Sequence, residues 1–144
     1  MTDQGSSACT VDAVPIGKYA PWIRSVIPDL LRLTELPTNW DSYGGRAPSR
    51  DLVNAVLDVL DVSEVVELPN PRVAPISCGG IQLEWILEGI ELEVAFLPDG
   101  CATALLTDNE GNVVEESAFE IREYVQLRRV LADFATDLRR KHAA

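Results

Sequence analysis

The stretch Gly80-Ile-Gln-Leu-Glu-Trp-Ile-Leu-Glu-Gly-Ile-Glu-Leu-Glu-Val-Ala-Phe96 decides the fold. Ile81, Leu83, Trp85 and Leu87 alternate with Gln82, Glu84 and Ile86, and Ile90, Leu92, Val94 and Phe96 alternate with Glu91, Glu93 and Ala95. Successive side chains of a strand point to opposite sides, so this period of two predicts two strands, each with one buried face. Glu88-Gly89 between them reads as a two-residue hairpin turn. Taken literally, that turn pairs Leu87 with Ile90, Trp85 with Leu92, Leu83 with Val94 and Ile81 with Phe96. Every large apolar residue then meets another on one face, and a slip of one residue would carry the whole set into water. The opposite face sets Glu84 against Glu93, with Glu91 as a diagonal neighbour.

Downstream, Pro98-Asp99-Gly100 predicts a turn, Cys101–Thr107 a third strand, 108–112 a further turn and 113–116 a short fourth strand. Ser117-Ala-Phe-Glu120 has the Ser-x-x-Glu pattern of a capping box, which predicts a helix over 117–141. Its apolar stripe would be Tyr124, Leu127, Leu131, Phe134 and Leu138, with Arg139, Arg140 and Lys141 at the end that favours cations. Upstream, a short strand over Arg72–Ile76 would bring the sheet to five. Ser49 is the expected N-cap of a helix with Asp51 in its first turn and a stripe of Leu52, Val53, Val56, Leu57 and Leu60. Before it, Pro28 interrupts an apolar spacing that runs from Ile23 to Leu33. The expectation there is a turn or short helix near 21–26, then a fresh helix with Pro28 at its first position.

Residues 1–18 lack periodicity and predict a flexible tail. Residues 19–144 then form one α+β domain, an antiparallel β-meander of four to five strands packed by helices on one face.

The chain carries a net charge of −11 over 144 residues, which argues against direct nucleic-acid binding, since phosphate neutralisation needs clustered Lys and Arg. Charge is also segregated. No Lys or Arg falls between Arg72 and Arg122, a stretch that holds ten Asp and Glu residues. No apolar run is long enough for a membrane span, and the first residues lack the basic and apolar regions of a secretory signal, so the expected location is cytoplasmic. Cys9, Cys78, Cys101 and His142 are scattered without ligand spacing, so neither a metal nor a cofactor is expected. No nucleophile elbow, phosphate loop or HExxH motif is present.

Two features stand out. The loop Asn39-Trp-Asp-Ser-Tyr-Gly-Gly45 gathers two aromatics, two Asx side chains and two glycines. Trp40, Asp41 and Tyr43 are candidate binding residues for a pocket or a partner. The plainer reading has Trp40 filling the core between the helices while Asn39 or Asp41 holds turn backbone. The second feature is the carboxylate set Glu84, Glu91 and Glu93, which suits a basic partner, acid–base chemistry or a divalent cation. Its plainer reading is a solvated face that discourages aggregation.

Leu36-Pro-Thr-Asn-Trp-Asp-Ser-Tyr-Gly-Gly45, with Pro48 beyond it, and Gly79-Gly-Ile-Gln-Leu-Glu-Trp85 resemble a group of short uncharacterised bacterial proteins that share LPxNWDxxG and GGIxLEW segments. The resemblance spans roughly residues 30–97 and implies a single-domain architecture that couples the two motifs. It carries over no functional residue. The functional expectation is therefore a non-enzymatic interaction module, of antitoxin, immunity or adaptor type, that presents an acidic sheet to a basic protein. The alternative is a small enzyme or ligand-binding domain that uses the NWDSYGG loop together with Glu84 and Glu93.

Overall fold

The β-hairpin forms in the register its alternation requires. In the computed structural model, which describes residues 19–63, 65 and 67–143, β2 (Gly80–Leu87) and β3 (Ile90–Phe96) pair Ile81 with Phe96, Leu83 with Val94, Trp85 with Leu92 and Leu87 with Ile90. Glu88 and Gly89 both have positive φ, 53° and 84°, as a type I′ turn demands. Around this pair, β1 (Arg72–Ile76), β4 (Cys101–Thr107) and β5 (Val113–Glu120) complete a five-stranded antiparallel meander in the order β1-β2-β3-β4-β5. The tail expected over 1–18 lies outside the described residues.

Three helices, α1 (Pro21–Leu33), α2 (Arg50–Val62) and α3 (Tyr124–Ala143), form the second layer. Trp85 is the junction of the core. The Trp22 ring of α1 meets it edge-on at 5.7 Å between centroids, and the Phe134 ring of α3 lies 6.1 Å away. Each indole has a polar end to satisfy, and the connector from α2 to β1 supplies both acceptors. Trp22 Nε1 donates to the Val65 carbonyl at 2.9 Å and Trp85 Nε1 to the Pro69 carbonyl at 2.8 Å. Helix α2 begins where expected, its first turn held by the Leu52 N–H donating to Ser49 Oγ at 3.0 Å.

Two expectations are corrected. Helix α1 runs unbroken through Pro28 instead of restarting there, and it is Pro21 that occupies the first turn. Pro28 and Arg24, whose carbonyl loses its helical donor, both face solvent, which can supply the missing bond. The opposite side, Trp22, Ile23, Val26, Ile27 and Leu30, is buried and holds the helix together. At the other end, Ser117–Glu120 is the second half of β5, not a helix cap. Phe119 and Ile121 alternate into the core, Phe119 pairs with Ala102, and the Ile121 N–H donates to the Gly100 carbonyl. Helix α3 starts only at Tyr124, preceded by Glu123, whose carboxylate accepts from the Glu120 N–H at 2.8 Å. Leu127, Val130, Leu131, Phe134 and Ala135 form the buried stripe of α3, while Tyr124 is 40% exposed. No helix among the described residues is long and apolar enough to cross a membrane.

Candidate functional site

Because the helices cover one side of the sheet, its other side carries the residues that alternate away from the core. Glu84 of β2 sits directly opposite Glu93 of β3, and Glu91 lies one step along the same face. Carboxylate oxygens of all three fall within 4.8 Å of one another. Like charges opposed across strands destabilise a sheet unless something offsets them, and the offset here is partial. The β1–β2 register sets Arg72 opposite Glu84, and its guanidinium reaches the Glu84 carboxylate at 2.9 Å. Gln82 Nε2 donates to Glu93 Oε1 at 3.1 Å. No cation among the described residues pairs with Glu91 or Glu93. Burial pushes the Glu93 carboxyl above the ordinary glutamate range. The neighbouring Glu84 and Glu91 push it further, and the Gln82 amide pulls part of the way back.

Beside the carboxylates, Ile86 is 60% exposed opposite Glu91. On the other flank, Gln82, Glu93, Ala95, Thr103, Glu116 and Ala118 border a groove of about 480 Å³, formed because its middle residues are small. The charge segregation of the sequence is thus softened in space, since flanking arginines reach back into the acidic segment. Besides Arg72 on Glu84, Arg129 of α3 meets Glu115 at 2.6 Å and Arg122 meets Glu120 at 2.9 Å. Among the described residues, what stays without a cation is the centre of the face, at Glu91 and Glu93. The three carboxylates could offer oxygens to a divalent cation. Glu84 and Glu93 each already engage a donor, however, so water would fill most of a six- to eight-fold shell.

The loop at 39–45 is elsewhere, and its polar groups are spent on itself. Asp41 Oδ1 accepts from the Tyr43 and Gly45 N–H groups at 2.9 and 2.8 Å. Asn39 Oδ1 accepts from the Gly44 N–H at 2.7 Å. The Tyr43 N–H foremost, with the Ser77 hydroxyl and the Gly45 N–H, holds the Asp41 carboxyl below the usual aspartate range. Trp40 does not fill the core between the helices. It stays partly exposed and donates from Nε1 to the Arg46 carbonyl at 3.1 Å, while Tyr43 is 89% exposed. The loop docks on the β1–β2 turn, where the Arg46 N–H donates to the Ser77 carbonyl at 2.9 Å and the guanidinium to the Cys78 carbonyl at 3.0 Å. The two motif segments therefore meet at the Gly79-Gly80 end of β2. Glu84 lies four residues further on, about 13 Å along the strand. No loop residue borders the groove beside Glu93.

Sequence reasoning placed Glu84, Glu91 and Glu93 together but missed Arg72 and Gln82. The signal was available, because a turn at 77–79 that pairs Ile76 with Gly80 also pairs Arg72 with Glu84. No family model, curated protein or solved structure matches the chain, so the site stands on its geometry.

Proposed function

We propose that the protein is an interaction module whose acidic sheet face, left uncovered by the described helices, receives a positively charged protein. The observation that carries this reading is the cluster of Glu84, Glu91 and Glu93 within 4.8 Å, with Glu91 and Glu93 left without a cation among the described residues. A single-signed patch steers an oppositely charged partner and raises its rate of encounter. Exposed Ile86 beside Glu91 offers an apolar contact at the same place. The fit is to an antitoxin, immunity or adaptor role, in which a small acidic protein covers a basic surface. Capture from the source cell at low and high salt tests it. A basic protein that is retained at low salt, released by salt and lost with a Glu84→Gln, Glu91→Gln, Glu93→Gln variant supports the reading. Retention unchanged in the variant contradicts it.

One observation favours a second reading. A carboxyl raised by burial and like charge, beside a groove of about 480 Å³, is the setting of a proton-donating or ligand-binding glutamate. In that reading Glu93 is the central residue and small molecules, not proteins, perturb its NMR titration.

A further inference from the structure

A second concavity lies away from the carboxylate cluster, between α2, the β3–β4 turn and the start of α3. It encloses about 650 Å³ and shares no residue with Glu84, Glu91 or Glu93. Its floor is apolar: Leu52, Ala55, Val59 and Val62 of α2 face Ile121 and Tyr124. Val62 and Tyr124 are 43% and 40% exposed, so part of the apolar floor is open to solvent. Its rim is acidic. Asp51 and Asp58 stand on the α2 side, and Asp99 and Glu120 on the sheet side. The cations at the α3 end are already engaged, Arg122 by Glu120 at 2.9 Å and Arg128 over the Tyr124 ring at 5.3 Å. The Ser49 hydroxyl in the lining is committed to capping α2.

We infer that this groove docks a short amphipathic segment of another protein, with apolar side chains on the floor and Lys or Arg against the rim. Charge complementarity selects the occupant. Glu120 is paired with Arg122, but Asp51, Asp58 and Asp99, on both sides of the apolar trough, have no cation among the described residues; they repel an acidic segment, and a neutral one would leave them unused. A small ligand is less well served, because such sites converge a few polar groups on an enclosed volume. Here the charges stand on the α2 side and the sheet side of the trough, not converged at one point. Helix-in-groove recognition works in this way.

The probe is a fluorescent peptide of about 14 residues, built from Leu and Lys at helical spacing, with a scrambled isomer of the same composition as its control. The patterned peptide should bind the full chain about tenfold more tightly than the isomer, and more tightly at low salt. Ala55→Trp, which fills the floor, should abolish the preference, and so should Val62→Asp at an exposed position if the first variant folds poorly. Asp51→Asn with Asp58→Asn should weaken both peptides. Glu91→Gln with Glu93→Gln, which can weaken only the charge-driven binding that both peptides share, should leave the preference for the patterned peptide intact, which separates this groove from the sheet face. Equal binding of the two peptides, or loss of binding only in the Glu91, Glu93 variant, would overturn the inference.

Discussion

Replacing Glu93 by Gln should stabilise the protein at neutral pH. The side chain keeps its shape, and its amide oxygen can still accept from Gln82, so the change removes chiefly a charge. Two unit charges at the 4.8 Å that bounds the cluster repel by about 0.9 kcal/mol in the dielectric of water, and by more where solvent is partly excluded. Arg72 offsets Glu84, which leaves Glu91 as the main uncompensated neighbour. Opposed like charges in sheets cost ~0.2–1 kcal/mol, so the expected gain is about 1 kcal/mol at low salt. With a urea slope of roughly 2 kcal/mol/M for a chain of this size, the midpoint should rise by about 0.5 M. The pH dependence follows from the raised carboxyl of Glu93. Just above the unfolded value of about 4.3, the native state holds more protons than the unfolded one, so wild-type stability falls as pH rises through the native pKa. The advantage of Gln should therefore be full at about pH 7.5 and vanish below about pH 4. Salt at about 0.1 M, with a Debye length of about 10 Å, should leave most of it, and about 1 M should not. Equilibrium urea unfolding at three pH values and two salt concentrations measures all of this. A Glu93→Gln protein less stable than wild type at neutral pH, or a gain that does not change with pH, would refute the reasoning.

Trp85→Ala should cost about 3–5 kcal/mol, because it empties the space between Trp22 and Phe134. Trp85→Phe should cost less, chiefly by leaving the Pro69 carbonyl unpaired, and urea unfolding separates the two. Gly45→Ala should lower the melting temperature by disrupting the loop, since an added Cβ would sit 2.6 Å from Asp41 Oδ1 and 2.8 Å from Trp40 Nε1. Asp41→Ala should also lower it at neutral pH, and Asp41→Asn by less. The depressed carboxyl means that this contribution is present above the ordinary aspartate pKa and disappears as pH falls through the native value, which calorimetry in acid can follow.

The hairpin was legible down to its register because one dipeptide turn and two alternating runs each required the same pairing. The acidic cluster followed from that register at no further cost in assumptions. Elements whose local signals conflict with packing were read less well. Ser117-Ala-Phe-Glu120 matches a helix start, but Phe119 and Ile121 had a buried strand face to fill, and packing outweighed the cap pattern. Pro28 reads as a break, yet it falls on the solvent side of α1, where a lost hydrogen bond costs least. Trp40 looked like a core residue, but a loop closed by Asn39 and Asp41 leaves it nearer the surface. The acidic-rimmed groove was invisible, since Asp51, Asp58, Asp99 and Glu120 meet only through the packing of α2 on α3 and the sheet.

The most direct test of the role proposed for the sheet face is the rate at which it meets a basic protein. Stopped-flow association with the basic protein recovered by low-salt capture should slow by at least about tenfold as salt rises from about 20 to about 500 mM. The Glu84→Gln, Glu91→Gln, Glu93→Gln variant should start slow and stay nearly flat across the same range. An association rate independent of salt and equal in wild type and variant would contradict the role assigned to these carboxylates.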